Sequence, residues 1–123
     1  MADKNNHNGH GLRRLQKAFY CSMSGFRFVI QHEAAFRQEL LLVIILTPLA
    51  FVIGTSTLEV LCLLGSLVLV LIVEILNTAI EVVIDRISHE VHPLSKHAKD
   101  LGSAAVFLAL VFVGATWFWI GLG

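Results

Sequence analysis

Charge is scarce in this chain, and its absence is concentrated. Aspartate, glutamate, lysine and arginine make up 15% of the 123 residues, and three runs have none of them: Leu40 to Leu58, Val60 to Val73 and Leu101 to Gly123. With 56% hydrophobic residues and a mean hydropathy of +0.77, this excludes an ordinary soluble domain and indicates a polytopic membrane protein. The familiar nucleotide loops are also missing. Neither G-x-x-x-x-G-K-[ST] nor G-x-G-x-x-G occurs, so any nucleotide chemistry must use another scaffold. The first forty residues lack a compact apolar run followed by a small-residue cleavage site, so the mature chain is expected to start at or near Met1. No internal repeat is present.

The apolar runs read as helices, because the bilayer interior offers the backbone no water to bond with. The expected fold is therefore an all-α membrane protein, with an N-terminal amphipathic surface helix and three transmembrane helices. Residues 1–11 form a polar tail expected to be disordered. Residues 12–123 form one membrane-embedded domain, with the surface helix at about 12–31 and spans at about 34–53, 57–87 and 96–122. Lys4, Arg13, Arg14, Lys17, Arg27 and Arg37 precede the first uncharged run, and Arg86, Lys96 and Lys99 lie between the second and third. The connection around Gly54 has no cation, which puts the N-terminus and the Ser88 to His97 loop in the cytoplasm and the C-terminus outside. Trp117 and Trp119 then fall near the outer interface. Cys21 and Cys62 fall on opposite sides of this topology, so no disulfide is expected between them.

Along the surface helix Leu12, Leu15, Phe19, Met23, Phe26 and Ile30 recur every three or four residues. That stripe suits either the membrane interface or packing on other helices, and Gly25 is a place for the helix to bend. Pro48 lies inside the first span. Ser56-Thr57-Leu58-Glu59 has the form of a capping box opening the next helix. His92-Pro93 interrupts the pattern, and Ser95 is the expected N-cap of the last helix.

One polar face stands out. Glu74, Asn77, Glu81 and Asp85 fall within about 80° of one another on a helix. The uncharged run before them, Val60 to Val73, reaches only about 21 Å against a hydrocarbon core of about 30 Å. The span must therefore continue through Glu74. A charge at that depth costs about 2.5 to 3.5 kcal/mol and is kept where it faces protein, water or a ligand. Carboxylates Glu33, Glu74, Glu81, Asp85 and Asp100 share the inner interface with cations Arg14, Arg27, Arg37, Arg86 and Lys99 and amides Asn77 and Gln38. Mg²⁺ is held by one or two carboxylates plus substrate phosphates, and cations neutralise a transferring phosphoryl group. The same inventory suits a proton or cation pathway, and from the residues alone both readings stand. Depth favours Glu74 as general base on a lipid alcohol and Glu81 nearer metal and triphosphate. His89 and His92 lack a clear third ligand for zinc and read as loop histidines.

Three blocks carry a resemblance: Glu33-Ala34-Ala35-Phe36-Arg37-Gln38-Glu39, then Glu74-Ile75-Leu76-Asn77-Thr78-Ala79-Ile80-Glu81 with Asp85-Arg86, then Ala98-Lys99-Asp100-Leu101-Gly102-Ser103-Ala104-Ala105-Val106. In order and separation they resemble the prokaryotic diacylglycerol kinases, from about Arg14 onward. The resemblance implies a homotrimer in the bacterial inner membrane, with active sites at subunit boundaries, that moves the γ-phosphate of ATP to the hydroxyl of diacylglycerol and makes phosphatidic acid. It implies Glu74 as catalytic base and Glu33 and Glu81 as ligands of Mg²⁺, with Asn77 and Asp85 supporting them. Arg14, Glu33, Glu81, Glu90, His92, Lys99 and Asp100 would contact nucleotide. Arg14, Arg27, Ala35, Phe36, Arg37, Gln38, Glu39, Glu74 and Ser103 would contact lipid. The chain departs from many relatives at Cys21, Met23 and Val91, where aromatic residues are common, and at Pro93, so no contact is carried over there. A kinase of the same fold acting on undecaprenol, and a small ion or proton transporter, are the competing functions.

Overall fold

The computed structural model of this chain describes residues 7–87 and 89–123. Residues 1–6 of the expected tail, and Ser88 of the expected loop, lie outside the described residues. Four helices follow one another: α1 (His7–His32), α2 (Ala34–Ile53), α3 (Thr57–Ile87) and α4 (Pro93–Leu122). They divide into two compact units, Met1–His32 and Glu33–Gly123.

In the first unit α1 runs unbroken through Gly25, the predicted place for a bend. Its last turn is closed by His32, whose ring stacks on Phe28 at 4.3 Å and whose Nδ1 lies 3.0 Å from the Phe28 carbonyl oxygen. A basic side chain in the last turn is favourable there, because the C-terminal end of a helix carries partial negative charge.

In the second unit α2, α3 and α4 have 20, 31 and 30 residues, and each is long and apolar enough to cross a membrane. Pro48 sits inside α2 without ending it, as membrane helices permit. The turn to α3 is tight. Gly54 donates its N–H to Ala50 O at 2.9 Å, and a Cβ at Gly54 would lie 2.6 Å from Val60 Cγ2, so a bulkier residue would force the hairpin open. Ser56 Oγ accepts the Glu59 N–H at 3.1 Å, as the capping box predicts. Glu59 reaches back one residue further than expected, accepting from Thr55 N and Thr55 Oγ1 at 2.9 Å each. At the other end His92, not Ser95, is the N-cap of α4: its Nδ1 accepts the Leu94 N–H at 3.1 Å. The physical reason is Pro93, whose fixed φ and missing N–H suit the first helical position and start the helix three residues early.

Helix α3 is central, packing on both α4 and α2. Its buried seam, Leu63, Ser66, Leu67, Val70, Glu74 and Thr78, recurs every one, three or four residues and so stays on one side of the helix. Polar members of the seam need partners in such a place. Ser66 Oγ donates to Leu63 O at 2.7 Å and accepts from Trp117 Nε1 of α4 at 3.2 Å. The indole N–H of Trp117 is therefore satisfied by protein. Away from the seam the three helices expose large apolar side chains, among them Leu41, Ile44, Ile72, Phe107, Leu108 and Trp119, a surface suited to lipid or to other protein.

Candidate active site

The polar face of α3 begins inside the bundle and ends outside it. Glu74 is buried, with 4% of its surface exposed. Glu39 of α2 brings its side chain to that of Glu74, carboxyl to carboxyl. Two carboxylates in contact repel strongly unless a proton or a cation lies between them. Around this pair Glu39 Oε1, Asn77 Oδ1 and Thr78 Oγ1 are buried without a hydrogen-bond partner. Each such atom costs about 1–3 kcal/mol if nothing bonds to it, so the cluster has the character of a place built for another molecule.

What lets Asn77 sit there is Gly102 of α4. A Cβ on Gly102 would overlap Asn77 Oδ1 and stand 3.1 Å from Asn77 Cγ. The carboxamide lies directly against the backbone of α4. Ser103, the next residue, is exposed.

Seven residues beyond Glu74, Glu81 is half-buried, and at the exposed end of the stripe Asp85 accepts from Lys99 Nζ of α4 at 3.2 Å. One turn earlier on α4, Lys96 Nζ pairs with Asp100 Oδ2 at 2.7 Å. These groups surround a cleft of about 370 Å³ where α3, the connecting loop and α4 meet, lined by Asp85, Glu90, His92, Lys96, Lys99 and Asp100 among others. The cleft thus collects five sequence-predicted residues: Glu90, His92, Lys99 and Asp100, expected at nucleotide, and the supporting Asp85.

Other predicted residues fall elsewhere on the same unit. Glu33 precedes α2 in an extended conformation, φ −121° and ψ 106°, and its side chain makes no capping bond. Its carboxylate is not committed to the helix end. Ala35, Arg37 and Gln38 are exposed in the first turns of α2, while Phe36 is buried. Arg14 and Arg27 are exposed on α1, in the other compact unit. Among the described residues no three His, Cys, Asp or Glu side chains gather as a metal site. Mg²⁺ does not need one, since one or two hard carboxylate oxygens plus phosphate oxygens complete its shell. Glu33 and Glu81 fit that requirement by donor chemistry.

Three contributors were missed by sequence reasoning. Thr78 lies four residues beyond Glu74, one helical turn, a spacing that was readable, whereas Gly102 adjoins predicted residues without a periodic signal of its own. Lys96 enters the cleft through its pairing with Asp100, four residues on, a spacing that was readable.

The family model described as prokaryotic diacylglycerol kinase matches residues 20–121. The chain is similar to the diacylglycerol kinase of Pseudomonas aeruginosa, 49% identical over 113 residues that cover 92% of each protein. It is also similar to that of Haemophilus influenzae, 44% identical over 87% of this chain and 91% of the relative. The diacylglycerol kinase of Escherichia coli strain K12 is 44% identical over 89% and 90%. A model matching most of the chain, and relatives at this identity covering nearly their whole length, place this protein in the prokaryotic diacylglycerol kinase family.

Proposed function

We propose that this protein transfers the γ-phosphate of ATP to the hydroxyl of diacylglycerol, giving phosphatidic acid at the cytoplasmic face of a bacterial inner membrane. The observation that carries the reading is the course of one helix face. It starts at a buried carboxylate ringed by unpartnered polar atoms, Glu74 with Asn77 and Thr78, and reaches a charged, open cleft at Asp85, about 16 Å further along the helix. An oil-soluble alcohol has access to the first end and a water-soluble nucleotide to the second.

In this reading the alcohol oxygen attacks the γ-phosphorus, the bond to the ADP oxygen breaks, and Glu74 takes the alcohol's proton. Asn77 fixes the position of Glu74 and of the alcohol. Mg²⁺, when bound through Glu33 and Glu81, neutralises phosphate charge. Glu90, His92, Lys99 and Asp100 contact nucleotide, with Asp85 orienting Lys99, and Arg14 contributes from α1. Arg14, Arg27, Ala35 to Glu39 and Ser103 contact lipid, α1 lying as an amphipathic helix on the membrane surface. Residues 12–123 act as one functional domain.

The chain assembles as a homotrimer with active sites at subunit boundaries. Support comes from the apolar surface that α2, α3 and α4 leave exposed and from polar atoms beside Glu74 that the chain itself leaves unpaired. The positions of the nine cations support a cytoplasmic N-terminus and a periplasmic C-terminus.

Purified protein in mixed micelles with γ-labelled ATP, Mg²⁺ and either diacylglycerol or undecaprenol tests the reading. Label is expected in phosphatidic acid. Preference for undecaprenol would reassign the substrate, and ion flux in liposomes without ATP would replace the kinase reading with a transporter.

A further inference from the structure

Lys96 has no role in the reading above, yet it stands in the wall of the cleft. With Lys99 and Asp100 it is spaced i, i+3, i+4 near the start of α4, so the three side chains share one face. We propose that Lys96 is a nucleotide-binding residue whose ammonium takes the polyphosphate while shielding it from Asp100; this rests on the kinase reading.

Two features of the geometry support the assignment. First, each ammonium has three N–H donors, and the structure uses one from Lys96, to Asp100 at 2.7 Å, and one from Lys99, to Asp85 at 3.2 Å. Donors remain on both lysines for phosphate oxygens. Second, the cleft holds three carboxylates, Asp85, Glu90 and Asp100, against two ammoniums. Loss of Lys96 would leave Lys99 as the one ammonium facing Asp85 and Asp100 among the residues that line the cleft. An anionic nucleotide would then meet Asp100 without the ammonium that lies 2.7 Å from its carboxylate.

Lys96 is not needed for the fold. The Lys96–Asp100 side chains are 71% and 59% exposed, and exposed pairs one helical turn apart stabilise little. A substitution there should report on the ligand rather than on folding.

The test compares the full-length protein with Lys96→Gln and Lys96→Arg, assayed with Mg-ATP and diacylglycerol. Removing one unit charge in direct contact with phosphate, about 4 Å from it, in a water-like dielectric should raise KM for ATP by about fivefold or more. KM for diacylglycerol should stay put. The difference should shrink as ionic strength rises to about 0.5 M, where screening is short-ranged, and Lys96→Arg should restore most of the affinity. A purely structural role would move both KM values and thermal stability together, without salt dependence. Unchanged KM for ATP in Lys96→Gln, with wild type active, overturns the Lys96 assignment and leaves the kinase reading intact. Failure of the wild type to phosphorylate lipid overturns the kinase reading instead. Thermal stabilisation by a non-hydrolysable ATP analogue, read in parallel, tests Lys96 without turnover, and equal stabilisation of wild type and Lys96→Gln refutes it.

Discussion

Replacing Gly102 by alanine separates position from stability in this site. The new methyl would overlap Asn77 Oδ1, with the rest of the carboxamide only 3.1 Å away. The obstacle is the far end of a side chain, so the cheap response is rotation of Asn77, costing about 0.5–1.5 kcal/mol if it leaves its preferred rotamer. Against that, alanine in place of glycine within a helix gains about 1 kcal/mol. Unfolding or thermal inactivation in detergent should therefore move by no more than about 1 kcal/mol. Turnover should behave differently. Asn77 lies three residues from Glu74 on the polar face, and a displacement on the order of 1 Å in a reacting arrangement can cost about 10²-fold. A tenfold or larger loss of kcat is expected in the micelle assay, at near-normal stability. In the Asn77→Ala background the methyl meets no carboxamide, so adding Gly102→Ala should cost nothing further, a non-additivity expected of groups in contact. Wild-type turnover in the single Gly102→Ala variant would refute the role given to Asn77.

Two further perturbations probe the scaffold and the cleft. Ser66→Ala removes the acceptor of Trp117 Nε1 and should lower stability by about 0.6–1.7 kcal/mol, the range for hydrogen bonds between membrane helices. Its kcat should hold, since Ser66 lies eight residues, about 12 Å, from Glu74 along α3; lost turnover at full stability would contradict the separation of scaffold from site. His92 both caps α4 and lines the cleft. His92→Ala should cost about 1 kcal/mol of stability as well as ATP affinity. His92→Asn should restore the cap but not the affinity, and thermal shift together with KM for ATP distinguishes the two effects.

How much of this was legible in the sequence follows from what periodicity can report. A 3-4-4 spacing of polar groups after an uncharged run too short to span predicted one polar face, and α3 carries it as a continuous helix whose first member, Glu74, is buried. The Ser56 cap was likewise local and readable. Local rules competed at α4, where proline at the first helical position prevailed over a serine cap. The contacts between helices were not legible. Trp117 to Ser66 joins residues 51 apart, and Gly102 to Asn77 depends on how α3 and α4 rotate and slide against each other. A pattern along one helix fixes which face is polar but not which residue of the next helix meets it. Glu39 was expected at lipid through its block, but its pairing with Glu74 required the register of α2 against α3.

The central claim is that Glu74 accepts the proton of a lipid alcohol, and Glu74→Gln tests it most directly. Single-turnover transfer from labelled ATP to diacylglycerol, with nucleotide affinity measured on the same preparation, should show a rate lowered by at least about 10²-fold, in the range of general-base contributions. Nucleotide affinity should be preserved. Transfer within tenfold of wild type would contradict the account.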